Sequence, residues 1–473
     1  MIDVTHLGSQ VLAAAWYGFV AVISYLSLYV AYQTLFHPLS RYPGPFVAKL
    51  SDAYSGYHAF KRQLHTTTRQ SHLKYGNVVR QGPNKLVFNS VGALQDIYRN
   101  DRTTKPKEYS AIGPRLKIPT IFTARDRQVH RARRQLIGRA LSDRSMRLFE
   151  PAMLDQIDLL VRLIYHSTQG SQPTAINMTE RARLVGFDIA GLLGFGYNLN
   201  LQTREENRLV LPMLEAGFFW SGIFLHWPLT HASDGIRSSE LWAEATVFLP
   251  AAGDTTKTAV AATFFYLSQN AQCYQKLANE IRSSFTNGSE IRGPTMVGCQ
   301  YLRACIDEAM RMSPPVAGIL WREAYPSEQP FTVDGHVIPP GTTVGVNIYS
   351  IHHNEEYFPD SFTYRLERWI DDERTVRDAF APFSVGQRGC AGKTMAYLEI
   401  SLVVAKIMWY FDFRAVPRSG EAQARKTGTT DESELDGVFK LLDNFTSSHD
   451  GPHLEFQPRG EYCKELDDMP EKS

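Results

Sequence analysis

From Val11 to Phe36 the sequence contains no charged residue, and Val11–Tyr32 is almost wholly apolar. Inside a bilayer the backbone polar groups of such a run must bond one another, and a helix lets them do so. At ~1.5 Å per residue, its 22 residues cover about 33 Å, enough to span the hydrocarbon core. Asp3 is the only charged side chain before the run, whereas Arg41 and Lys49 follow it. Positive flanks stay in the cytoplasm, which puts the N-terminus in the lumen and the body outside. The rival reading, a cleaved signal peptide, needs a basic start and a small-residue cleavage site, and neither is evident. Next comes His37-Pro38-Leu39-Ser40-Arg41-Tyr42-Pro43-Gly44-Pro45. Three prolines and a glycine cannot continue the helix, so a stiff, extended hinge is expected.

The other residues suit a globular body. Of 473 residues, 43% are hydrophobic and 21% charged, which is ample for a core. The formal net charge of +1 gives no electrostatic case for nucleic-acid binding. Cys273, Cys299, Cys305, Cys390 and Cys463 are odd in number and lack paired spacing, which points to reduced thiols facing the cytosol. Apolar residues recur at helical spacing over Asp143–Ser167, Thr179–Leu193, Leu241–Gln269 and Leu398–Phe411. Strands are expected at Val78–Arg80 and Leu86–Asn89, and at Phe331–Val333 and His336–Ile338 around the Asp334-Gly335 turn. Ser419–Glu434 reads as an exposed loop and Cys463–Ser473 as a frayed tail. The body is therefore expected to be mainly α with a small β region.

The chemistry is carried by Phe383-Ser384-Val385-Gly386-Gln387-Arg388-Gly389-Cys390-Ala391-Gly392. This stretch resembles the haem-binding signature of the cytochrome P450 family at Phe383, Gly386, Arg388, Cys390 and Gly392. With typical residue frequencies, five fixed positions coincide by chance in fewer than roughly one such chain in ten thousand. The resemblance implies haem b, with Cys390 as axial ligand to the iron. Each position suits that task. A thiolate pushes electron density onto iron, and N–H groups at the start of the following helix stabilise the anion. Glycines at 386, 389 and 392 permit tight turns and close approach to the macrocycle. Phe383 shields the sulfur, and Arg388 pairs with a propionate. The bland alternative is a buried structural cysteine.

Other segments gain meaning from the resemblance. Glu308-Ala309-Met310-Arg311 puts two charges on one helix face. Roughly one Glu-x-x-Arg arises by frequency in a chain of this length, so alone it is a surface pair. In the family the pair joins a later arginine to support the cysteine loop, and Glu367-Arg368-Trp369 nominates Arg368. Leu366 stands where the family usually has proline. Ala251-Ala252-Gly253-Asp254-Thr255-Thr256 resembles the oxygen-activation motif on the long distal helix. There Thr255 would handle oxygen and protons and Asp254 would deliver protons; a capping or solvated Asp-Thr pair is the alternative. The family prefers glycine where Ala252 stands. Arg125–Arg147 holds eight arginines, suiting an acidic flavoprotein partner or a solvated helix face. His130 and Arg134 match a propionate-binding pair, and Arg322 is a further candidate. By the same analogy Val316 and Ile319 face substrate. His352 and His353 have no partner motif and are read as structural.

The implied layout is a membrane anchor (1–36), a Pro-rich hinge (37–50), one haem domain (51–460) and a polar tail (461–473). The domain would face the cytosol from the endoplasmic reticulum membrane and draw electrons from an NADPH-dependent flavoprotein reductase. It would insert one oxygen atom from O2 into an apolar small molecule, in the style of fungal secondary metabolism. A haem-thiolate isomerase, dehydratase or peroxygenase is the second enzymatic reading, and a haem-binding relic the third. Between about 197 and 240 the chain is short for the two long roof helices of the family, which predicts a truncated second roof helix and a wet distal pocket.

Overall fold

The computed structural model describes residues 4–111, 118–170, 174–226, 240–325, 329–371, 374–416 and 437–467. The apolar run forms helix α1 (Val4–Ala31), followed by one widened turn through Phe36. Leu12–Phe36 is long and apolar enough to cross a membrane and is almost uncovered by the rest of the chain. At His37 the backbone turns extended, as the prolines require. The hinge does not hang free, however. Leu39 and Tyr42 are buried in the core, Arg80 N–H donates to the Pro43 carbonyl at 2.7 Å, and the Arg80 guanidinium grips Gln33 twice at 2.7 Å. The expected linker is thus docked on the body.

Strands β1 (Val78–Gly82), β2 (Lys85–Phe88), β3 (Thr103–Thr104), β4 (Arg322–Ala324) and β5 (Thr343–Val346) form one sheet in the order β1-β2-β5-β4-β3. The β2–β5 pair is parallel, with Lys85 opposite Thr343, and the others are antiparallel. Phe331–Val333 and His336–Ile338 pair as expected, with Asp334 and Gly335 both at positive φ in the turn. A short hairpin, β6 (Leu442–Asn444) and β7 (Thr446–Ser448), turns at Phe445 and was not expected.

The helical side holds the larger core. In chain order it contains α2 (Arg127–Ala140), α3 (Asp143–Thr168), α4 (Met178–Phe195), α5 (Val210–His226), α6 (Glu240–Gln269), α7 (Gln300–Met312) and α8 (Lys393–Tyr410). Four helices fall where periodicity puts them, although α8 begins five residues earlier than its apolar run. Apolar faces of α3, α4, α6, α7 and α8 meet in one cluster around Ile157, Phe264, Ile306 and Val404. Gly253 of α6 lets α4 come close: a Cβ there would lie 2.5 Å from the Phe187 ring. The tail expected to fray from Cys463 instead packs through Leu466 as a tight helical turn, with both side chains buried. The Ser419–Glu434 loop lies outside the described residues. So does 227–239, where the truncated roof helix is expected; α5 ends at His226 and α6 begins at Glu240. Glu205–His226 is also apolar enough to span a membrane, but Met213, Leu214, Phe218 and Phe224 on it line an internal cavity.

Candidate active site

The segment before α8 is a loop closed on itself. Cys390 N–H donates to the Phe383 carbonyl at 2.8 Å, and Gly389 N–H to that of Gly386 at 3.1 Å. Gly386 holds φ +75°, and a Cβ there would fall 2.0 Å from the Tyr98 carbonyl oxygen. Only glycine fits. That contact lies behind the loop: Gly389 and Gly392 line the cavity and Gly386 does not. Gly386 thus seats the loop on the body at Tyr98. Cys390 lines the cavity and is exposed to it. Burial raises its thiol above the usual range, while Gly392 N–H, Arg134 and Lys393 pull the other way. The Phe383 ring packs on Tyr397 at 5.1 Å and also lines the cavity.

This cavity, of about 880 Å³, takes its walls from α5, α6, α8, the cysteine loop and the β6–β7 turn. Lys105, His130, Arg134, Arg322 and Arg388 all line it. The charges acting on Lys105 and His130 are all positive. Burial, then Arg388, Lys105, Arg134 and Arg322, push His130 down to about 3, and Lys105 falls well below the usual lysine range from burial, then Arg322 and Arg388. The arginines are fixed by backbone carbonyls. Arg388 donates to Ala124 and Arg125 at 2.6 and 3.0 Å, Arg134 to Gly389 and Cys390 at 2.5 and 3.3 Å, and Arg322 to Trp321 at 2.8 Å. Each guanidinium carries five N–H groups, so donors remain. Three arginines with spare donors beside a thiol open to the same cavity suit a flat macrocycle that bears two carboxylates and takes a sulfur ligand. The residues present fit haem b.

Across α6, Thr255 lines the cavity and its hydroxyl donates to the Ala251 carbonyl at 2.7 Å; Thr256 does the same to Ala252. Two back-bonded threonines beside Pro250, which lacks an N–H, loosen the helical ladder here. Asp254 is buried off the cavity wall, bonded to Lys257 and Thr446 at 2.5 Å each. Val316 lines the cavity, but Ile319 does not. Ile319 packs under Gly345 with Val87 and Trp321, held by its bridge to Asn347. Leu320, the next residue, takes the cavity position, because side chains alternate along extended backbone. The assignment of Ile319 to substrate is corrected.

Glu308, Arg311 and Arg368 come together fully buried. Arg311 meets both carboxylate oxygens of Glu308 at 2.8 Å, and Arg368 approaches at 3.4 Å. Arg311 also donates to the His352 carbonyl at 2.9 Å. His352 in turn accepts the Ala381 N–H at Nε2, 2.9 Å away, where the cysteine loop starts. That bond requires a bare Nε2, so Nδ1 carries the proton and faces the Arg311 carbonyl at 3.2 Å. Burial, then the Arg311 charge, keeps His352 neutral with a pKa of about 3. His352 therefore ties the buried ion cluster to the loop.

Lys105, Glu244, Glu399 and Thr446 are among the cavity residues that escaped the sequence reading. Lys105 carries no local signal. Glu399 does: it is an acid within the apolar run Leu398–Val404 of α8. Burial lifts its carboxyl to about 8 despite a hydrogen bond with Thr256, and Oε2 has no protein partner.

A family model described as Cytochrome P450 matches residues 229–431. The chain is 32% identical to cytochrome P450 monooxygenase poxM of Penicillium oxalicum, covering 93% of this chain and 95% of that protein. It is 31% identical to apf7 of Gibberella fujikuroi (93% and 97%) and 30% identical to AKT7 of Alternaria alternata (96% and 98%), both also cytochrome P450 monooxygenases. These alignments run over 503, 523 and 525 positions, more than the 473 residues here, so each relative has segments without a counterpart in this chain.

Proposed function

The chain belongs to the cytochrome P450 family and is a monooxygenase of it, and from that premise we propose its reaction. One oxygen atom from O2 enters an apolar small molecule, a secondary metabolite of the fungal kind, with electrons from an NADPH-dependent flavoprotein reductase. Residues 1–36 hold the protein in the endoplasmic reticulum membrane with the haem domain in the cytosol. The single observation that carries the reading is that Cys390 and Thr255 share one largely apolar cavity, lined also by Lys105, His130, Arg134, Arg322 and Arg388 against the two acids Glu244 and Glu399.

Haem b, when bound, supplies the activation of O2 and the oxygen transfer. Cys390 would hold its iron through Sγ. The Gly392 N–H, Arg134 and Lys393 favour the thiolate against the burial that favours the thiol, and Phe383, packed on Tyr397, stands in the cavity wall with the sulfur. Lys105, His130, Arg134, Arg322 and Arg388 receive the propionates. The ion cluster of Glu308, Arg311 and Arg368 fixes the loop through His352. Thr255, whose hydroxyl oxygen can still accept while it donates to the Ala251 carbonyl, holds water in the distal cavity, and Asp254 serves as the acid. Phe218, Val247, Phe248, Val316 and Leu320 offer an apolar wall to substrate. A roof shortened between about 197 and 240, as the sequence leads us to expect, would open that wall to water, weaken electrostatic control and lower coupling.

The test is reconstitution of the full chain with a reductase and NADPH, after screening metabolites by their shift of the haem spectrum. The reading expects a product carrying one atom of labelled O2, formed only with reductase. Product without reductase would favour an isomerase, dehydratase or peroxygenase. A normal haem spectrum without nicotinamide consumption by any substrate would favour a relic.

A further inference from the structure

Asp254 and Thr255 are neighbours in sequence, but successive residues on a helix point about 100° apart. Thr255 lines the cavity and Asp254 does not. Both carboxylate oxygens of Asp254 are taken: Oδ1 by Lys257 Nζ and Oδ2 by Thr446 Oγ1, each at 2.5 Å. Of these two partners only Thr446 lines the cavity.

The hairpin that carries Thr446 has an unusual backbone at one residue. Phe445, between β6 and β7, holds φ +79°, a conformation that costs a non-glycine residue roughly 1–3 kcal/mol and persists only where the surroundings enforce it. They do so here. Ser447 N–H and Oγ donate to the Pro315 and Pro314 carbonyls at 2.8 Å each. Asp443 N–H donates to the Arg62 carbonyl at 2.9 Å, and the Phe445 ring packs on Phe122 at 5.4 Å. The turn thereby carries Phe445 and Thr446 together into the cavity wall.

We propose that Thr446 is a positioning residue that brings the acid of Asp254 into hydrogen-bond reach of the cavity. The inference rests on the monooxygenase reading and adds the route by which Asp254 acts. When Asp254 turns from Lys257 and takes a proton from solvent, that proton passes to Thr446 Oγ1, whose hydroxyl turns from donating to the carboxylate to giving its own proton to a water in the cavity. The hydroxyl is restored, and the carboxylate returns to its pair with Lys257. Valine has the same shape but neither donates nor accepts, so Thr446→Val closes the route while the ion pair stays.

The test uses the full-length holoprotein as its ferrous carbon-monoxide complex, whose C–O stretch reads hydrogen bonding and charge around the ligand. Thr446→Val and Asp254→Asn should each move the band, and Thr446→Ser should restore it. The double variant should sit where Thr446→Val alone does, because the cavity no longer senses position 254. In turnover with a reductase, the share of NADPH recovered as peroxide should rise equally in both single variants and no further in the double. Shifts that add in the double variant, or a band unmoved by either single change, overturn the proposal. Thr446→Ala takes the place of the valine variant if that one loses haem. A wild-type protein without the carbon-monoxide band of the family would count against the monooxygenase reading instead, so the two failures are distinguishable.

Discussion

Replacing His352 with phenylalanine isolates the link between the buried ion cluster and the cysteine loop. Phenylalanine keeps the stacking on Phe380, whose ring lies 5.5 Å away, but leaves the Ala381 N–H and the Arg311 carbonyl without their partner. Each buried group left unpaired costs about 1–3 kcal/mol, so His352→Phe should lose roughly 2–6 kcal/mol at pH 7. The loss should also depend on pH. The folded pKa of His352 is depressed to about 3 from the ordinary 6.5, so its contribution is complete above about 6.5 and is lost as the pH falls toward 3. At pH 5 the gap between wild type and variant should have narrowed by about 2 kcal/mol, taking 1.36 kcal/mol per pH unit. Other buried histidines cancel in this difference. Urea unfolding at pH 7 and pH 5, followed by far-ultraviolet dichroism and by haem absorbance, reads both quantities. A loss under about 0.5 kcal/mol, typical of a surface site, or a gap that does not change with pH, would refute the reasoning.

Thr255→Ala should keep haem and carbon-monoxide binding but divert NADPH electrons to peroxide; an unaltered yield of product per NADPH would remove Thr255 from proton handling. Glu399 has a folded pKa raised to about 8 from the ordinary 4.5, so its contribution is present below about pH 4.5 and lost as the pH rises through 8. Glu399→Gln should therefore gain on the wild type across that window, by about 5 kcal/mol at most; parallel stability profiles would mean the carboxyl is not desolvated. Removing residues 1–31, which leaves Gln33 for Arg80, should release most of the protein from carbonate-washed membranes, and retention would put the anchor elsewhere.

Much of this was legible because it lies in local pattern. Helical period gave α3, α4 and α6, and the Asp334-Gly335 turn gave its hairpin. Spacing gave Glu308 and Arg311, and the ten residues to Gly392 gave the loop around Cys390. What escaped depends on which way a side chain points after the chain has folded back. Ile319 and Leu320 differ by one residue in extended backbone, and that step exchanges core for cavity. Gly386 is required by Tyr98, nearly three hundred positions earlier in the chain. Lys105 and Thr446 reach the cavity from segments with no motif, and His352 has a partner only once Ala381 is placed beside it. The hinge looked free because prolines report stiffness and say nothing of the Arg80 guanidinium that holds it.

The central claim is that one sulfur in this chain is the iron ligand. The reduced carbon-monoxide difference spectrum tests it directly in Cys390→Ser, with Cys273, Cys299, Cys305 and Cys463 changed to serine one at a time as controls. Those four are remote from the cavity wall among the described residues. The account predicts that the band that names the family disappears in Cys390→Ser and survives in all four controls. A band that persists without Cys390 would contradict it.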